Sequence, residues 1–277
     1  YSDVVSYFES TVSATEEDIA QSLSEGFRGA ALNGVLQSGS FTTEAGGVGV
    51  FNSNGVSAYH PYTSAHLSVV STKDDVSGFK SALSNDISAI DIKGVMGDSA
   101  GRALSAVSPR AITPGAFRVL LEPPAVAELI YWLSYTGFGA RGFSEGTSFL
   151  SGRLGERVTG EGVTIYDDGR DPRGMALPFD MEGVPKKRLS IIERGVARGV
   201  AYDTFSAASE GVESTGHAPF PGDEEGPLPE HLFMEGGLHS PELLLEMLGT
   251  GLLVRSFHYV NGLLNPSETM MTGMTRH

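Results

Sequence analysis

The chain has 277 residues, 40% hydrophobic and 19% charged, enough for one large or two modest domains with a sizeable core. Nineteen Lys and Arg against 34 Asp and Glu leave a net charge of −15, which repels phosphate backbones and argues against nucleic acid as a partner. The absence of cysteine excludes disulfides, thiolate–zinc sites and cysteine nucleophiles, as fits a reducing cytoplasm, and no apolar run approaches the roughly 20 residues that span a membrane.

Taken in order, Tyr1-Ser2-Asp3 is not a signal-peptide start, and the chain stops at His277 directly after a strand-like segment, so it reads as an internal piece of a longer protein. Thr15 caps a helix over residues 15–27, with Glu16, Glu17 and Asp18 at its positive end and Ile19, Leu23 and Phe27 on one face. From Gly46 to Ser71 short β segments are expected around an Asn52-Ser53-Asn54-Gly55 turn, and residues 84–108 lean to helix. The stretch from Pro109 to Gly115 marks a domain boundary.

Beyond it, Phe117–Leu121 reads as a strand, and Pro123-Pro124 opens a helix to about Tyr135 with Val126, Leu129, Ile130 and Leu133 on its apolar face. Strands are expected at 163–166 and 189–192, and the basic cluster Lys186-Lys187-Arg188 at the entry to the second should be solvated. Residues 217–231 read as a long exposed loop. Ser240-Pro241-Glu242 starts a leucine-rich helix that Gly249 stops. The tail alternates apolar residues around an Asn261-Gly262 turn, a β-hairpin signature.

Several motifs suggest chemistry. Gly97-Asp98-Ser99-Ala100-Gly101 matches a nucleophile elbow, but no oxyanion loop precedes it and the βαβ rhythm of such hydrolases is missing. Gly137-Phe138-Gly139-Ala140-Arg141-Gly142 matches a dinucleotide fingerprint, yet it follows a helix instead of a strand. No two histidines are spaced i, i+3 or i+4; His217, His231 and His239 around Asp223-Glu224-Glu225 read as solvated loop residues, and His258 as a sheet residue.

One set of segments is specific by its order. Residues 119–129, 146–156, 164–168, 171–174 and 178–185, then Glu213-Ser214-Thr215-Gly216 and the stretch from Gly251 to Arg276, resemble in turn the segments of the TldD/PmbA metalloprotease family. In the TldD branch, the helix after the Glu-Pro segment bears His-Glu-x-x-x-His, whose histidines join a later cysteine on zinc. The corresponding stretch here runs Ala127-Glu128-Leu129-Ile130-Tyr131-Trp132, without either histidine, and the chain has no cysteine. That departure resembles the PmbA (TldE) branch, also known as modulator of DNA gyrase.

The resemblance implies a mixed α+β fold: a β-rich C-terminal domain of largely antiparallel twisted sheets with a few helices over residues 115–277, preceded by a smaller α/β segment, residues 1–114, from an N-terminal domain. It implies a cytoplasmic heterodimer in which a TldD-like catalytic subunit carries the zinc, this chain carries no catalytic residue or metal, and peptides or unfolded proteins are substrates. Gly146-Thr147-Ser148 and Ser214-Thr215-Gly216 are candidates for a peptide cleft, since small residues and exposed backbone can accept an added strand; turns alone would also explain them. Trp132 and Tyr135 are partner-interface candidates, or core aromatics. Two readings from other classes stand beside this one: a stand-alone peptide-binding scaffold, and a serine hydrolase using Ser99.

Overall fold

The computed structural model describes residues 4–105, 111–223 and 225–275. The described residues form two compact units, one drawn from residues 5–49 and 59–114, the other from 50–58 and 115–275.

The first unit begins with a single turn, α1 (Glu9–Val12), and α2 (Glu16–Leu32). Thr15 accepts a hydrogen bond from the Asp18 N–H and three acids occupy the first turn, so the expected cap forms and the helix runs five residues beyond Phe27. The expected short β segments are in fact long strands. β1 (Leu36–Phe51) and β2 (Ser57–Lys73) form a ribbon, and β3 (Val76–Ser84) pairs antiparallel with β2 from Ala65↔Ser84 to Lys73↔Val76. Asn52 makes the first turn by accepting from the Asn54 and Val56 N–H groups, with Gly55 at φ +89°. In the helix-leaning stretch after residue 84, β3 continues through Ser84, a single 3-10 turn follows at Ile87–Ala89, and α3 spans Ile92–Ser105; residues 106–110 lie outside the described part. Leu67, Val69, Val95 and Met96 pack the core between β2 and α3.

Ser99 lies within α3, fully buried, in hydrogen-bond reach of the Val69 and Gly78 carbonyls and 2.8 Å from Ser71 Oγ. The elbow reading fails here: a nucleophile needs an exposed strand-to-helix turn, and this hydroxyl ties a helix to two strands.

In the second unit, β4 (Val119–Leu121) leads into α4 (Pro123–Gly137) and α5 (Ala140–Ser144). Next come β5 (Ile165–Asp167), β6 (Leu189–Glu193), β7 (Val196–Ala197), α6 (Thr204–Glu210) and β8 (Leu232–Met234). The last elements are α7 (Pro241–Leu248), β9 (Leu252–Val254), β10 (Tyr259–Asn265) and β11 (Met270–Met274). The main sheet is antiparallel in the order β7-β6-β5-β8, β10 and β11 form an antiparallel pair, and β4 and β9 are parallel. Ile130, Phe138, Leu150, Ile165, Ile191 and Val200 center the core. The mixed architecture with largely antiparallel sheets is the expected fold class.

Two local expectations are corrected. Asn261-Gly262 is not the terminal turn but part of β10, at an irregularity in register; residues 266–269 make the turn, with Thr269 at φ +54°. Gly262 is glycine because a Cβ there would stand 2.5 Å from the Trp132 ring. Second, Lys186 is buried, at 3% exposure, whereas its neighbours Lys187 and Arg188 are solvated as expected. No helix among the described residues is long and apolar enough to cross a membrane.

Candidate functional site

Two features of the second unit concentrate polar chemistry: an open groove along α4 and a buried network behind β5. The groove has a volume of about 1080 Å³, at the upper end of ligand-site sizes. Helix α4 supplies one wall because of how it starts. Pro123 and Pro124 occupy its first turn, where no N–H is needed, and the segment behind them is rich in Ala, Leu and aromatic residues. Val126, Ala127, Ile130, Tyr131, Ser134 and Tyr135 recur at helical spacing on the groove side. Leu121 at the end of β4, Leu232 and Met234 of β8, and Leu244 and Leu245 of α7 complete an apolar lining. Ser134 donates to the Pro229 carbonyl at 2.8 Å and Tyr135 to the Glu225 carboxylate at 2.7 Å, fastening the 219–230 loop to the helix. That bond and the nearby carboxylate push the Tyr135 phenol up. Glu122 at the helix start pairs with Arg255 at 3.4 Å.

The second feature is interior. Asp167, at the end of β5, is fully buried. One carboxylate oxygen meets His217 Nε2 at 3.0 Å and the other accepts the His231 backbone N–H at 2.5 Å. His217 Nδ1 lies 2.9 Å from Thr215 Oγ1, and Lys186 Nζ lies 3.2 Å from His231 Nδ1. Burial alone would raise the Asp167 carboxyl; the hydrogen bond and charge of His217, with Lys186 and His231, outweigh it and hold it below the usual range. Burial pushes Lys186 down, and burial with the neighbouring lysine takes His231 to about 4. Asp180, also buried, accepts the Glu182 and Val184 N–H groups on one oxygen and the Ala218 N–H on the other, stitching two loops together.

Thr215, His217 and Asp167 stand in the hydroxyl–imidazole–carboxylate order of a hydrolase triad. The geometry is nonetheless structural. Both ionizable side chains are fully enclosed, and Thr215 Oγ1 already accepts the Tyr202 N–H at 2.7 Å. His217 and His231 are therefore not the solvated loop residues expected, since the ends of the 217–231 segment fold inward and bury His217, Pro227 and Pro229. His239 is exposed, and His258 is an exposed residue just before β10 whose N–H donates to the Met274 carbonyl.

The structure does not bring the two peptide-cleft segments together at the groove. The Gly146, Thr147 and Ser148 N–H groups donate to the Phe143 and Gly142 carbonyls, closing the turn after α5, and Ser148 Oγ is buried against the Gly137 carbonyl. Thr215 N–H and Ser214 Oγ both donate to the Tyr202 carbonyl, and the Gly216 N–H to Ser214 Oγ, with Gly216 at φ +77°. Tyr135 lines the groove. Trp132 lies on another side of α4, edge-on to Tyr131 and Tyr135 and under Gly262 of β10. What the sequence reading missed was the groove itself, although Val126 and Ile130 of its α4 wall belong to the apolar face expected for that helix, whose Leu133 instead packs against the core.

A catalytic zinc does not fit the groove side of α4. The groove side of α4, from Val126 and Ala127 to Ser134 and Tyr135, presents no imidazole or carboxylate, the sequence has no cysteine, and among the described residues no three His, Cys, Asp or Glu converge on one point.

Residues 114–277 match the PmbA/TldA metallopeptidase C-terminal domain, and the chain belongs to the PmbA/TldD metallopeptidase family. Metalloprotease PmbA of Escherichia coli O157:H7 is 32% identical over 158 residues, 57% of this chain and 33% of that protein. An uncharacterized protein of Methanocaldococcus jannaschii is 29% identical over 67% of this chain and 44% of its own length. The chain thus spans less than half of these curated relatives. Among solved structures, TldE from Thermococcus kodakarensis superposes with a TM-score of 0.76 at 22% identity, covering 96% of this chain and 64% of that one. A Thermotoga maritima protein described as a candidate modulator of DNA gyrase superposes at 0.81, also at 22% identity, covering 94% and 61%.

Proposed function

We propose that this chain is the peptide-holding part of a PmbA (TldE)-like subunit, which leaves hydrolysis to a TldD-like partner carrying the zinc. The observation that supports this reading is the donor set of α4. In the TldD branch this helix carries the zinc histidines; here its groove face is Ala127, Ile130 and Tyr131, over a groove of about 1080 Å³. A site that keeps the cleft and lacks the metal donors can bind a substrate segment without activating water. The substrates are peptides or unfolded proteins, and the groove takes the role first given to residues 146–148 and 214–216. The partner surface is apolar: α7 exposes Leu243 and Met247, and Tyr131 is exposed beside Trp132 and Tyr135.

The test is zinc content and peptidase activity of the full-length protein, alone and mixed with a TldD-like chain. No zinc in the isolated protein, with chelator-sensitive activity only in the mixture, supports the reading. Stoichiometric zinc and activity in the isolated protein overturn it.

A further inference from the structure

We infer that the α4 groove selects basic peptides: an extended segment in which Lys or Arg alternates with apolar side chains. The inference rests on the peptide-holding reading above and names the substrate class.

The groove's charge is one-sided. Six carboxylates line it, Glu122, Asp223, Glu225, Glu230, Glu235 and Glu242, and among the described residues no Lys, Arg or His does. Glu122 is neutralized by Arg255 and Glu235 by Arg188, at 3.4 and 2.8 Å. The other four form no ion pair among the described residues. Elsewhere in the same unit several exposed carboxylates do have cations: Glu156 with Arg153, Glu193 with Arg198, Glu145 with Arg141. The unpaired acids stand above an apolar floor of Val126, Ile130, Leu244 and Leu253, and low-dielectric walls concentrate the field of such charges in the cavity between them. Glu242 remains ionized, since it accepts its own backbone N–H and a bond from Ser240 at the start of α7.

A second observation favours a peptide over a free polyamine. β8 is the last strand of the main sheet and, among the described residues, pairs only with β5. The N–H of Glu235 and the carbonyl of His231 bond to the β5 side, so the alternating residues Leu232 and Met234, both lining the groove, turn their backbone groups to the unpaired side. A main chain can add there while its side chains reach the floor and the acids in alternation.

The experiment is fluorescence anisotropy on the full-length protein with two labelled, end-blocked heptapeptides, one alternating leucine with arginine and one alternating leucine with glutamate. The basic peptide should bind about tenfold more tightly or better, with the preference shrinking as NaCl rises from about 0.05 M to about 0.5 M. The triple substitution Asp223→Asn, Glu230→Gln, Glu242→Gln should erase the preference without moving the melting temperature. Leu244→Asn should weaken both peptides. Equal affinity for the two peptides, an unchanged preference in the triple variant, or displacement by spermidine at the peptide's own concentration would each overturn the inference. The partner-dependent peptidase assay is read separately, so a chain that activates a TldD-like partner yet shows no basic preference refutes the specificity alone.

Discussion

The α4 groove and the Asp167 network lie in the same unit and use the same kinds of residue to opposite ends. Behind β5 every ionizable group has a partner: Asp167 meets His217 and the His231 N–H, and Lys186 meets His231. In the groove, Asp223, Glu225, Glu230 and Glu242 form no ion pair among the described residues, though Glu225 accepts the Tyr135 hydroxyl and Glu242 a bond from Ser240. Charges enclosed and satisfied by the chain hold it together, and removing one partner strands the others. Charges facing a cavity contribute little to folding and are available to something that enters. Burial and pairing, not residue type, separate scaffold from site here.

That contrast can be broken most directly at Asp167. Asp167→Ala should cost about 3–5 kcal/mol, because a buried lysine and histidine lose their counter-charge; urea denaturation measures it, and a loss near zero would mean the network is not structural. Gly262→Ala comes next, at about 1–3 kcal/mol by the same assay, since a new Cβ would press into the Trp132 ring.

A smaller effect separates the two regions by pH. His231 titrates at about 4 when folded against 6.5 for the ordinary side chain, so the unfolded chain binds its proton more readily. The stability it contributes is present above pH 6.5 and is lost as pH falls toward about 4; His231→Gln should flatten that slope in a series of urea midpoints. The groove triple variant should change stability by no more than about 0.5 kcal/mol, as befits exposed positions. Smallest of all, a fluorophosphonate probe should leave Ser99 unlabelled, with intact-mass measurement unchanged.

Helices were legible where local chemistry decides them. Thr15, Pro123 and Ser240 each announced a helix that the structure contains, because caps and first-turn prolines act within four residues. The order of family segments gave the fold class. What stayed hidden is non-local. Lys186 reads as one member of a basic run until Asp167 and His231, brought close only by the fold, enclose it. Asn261-Gly262 reads as a turn until Trp132 explains the glycine. The groove needed four separated segments to close, so only its α4 wall carried a sequence signal.

One of those walls depends on a long-range partnership. β4 pairs with β9, Val119 beside Leu252, and Arg118 donates to the Met247 carbonyl 129 residues away. During synthesis, α4 emerges long before the strand that braces its entrance, so the wall cannot close until residue 254 has left the ribosome. Contacts of such sequence separation slow folding because their loop must be ordered before they form. In the interval the apolar faces of α4 and α7 are open to any chaperone or neighbouring nascent chain.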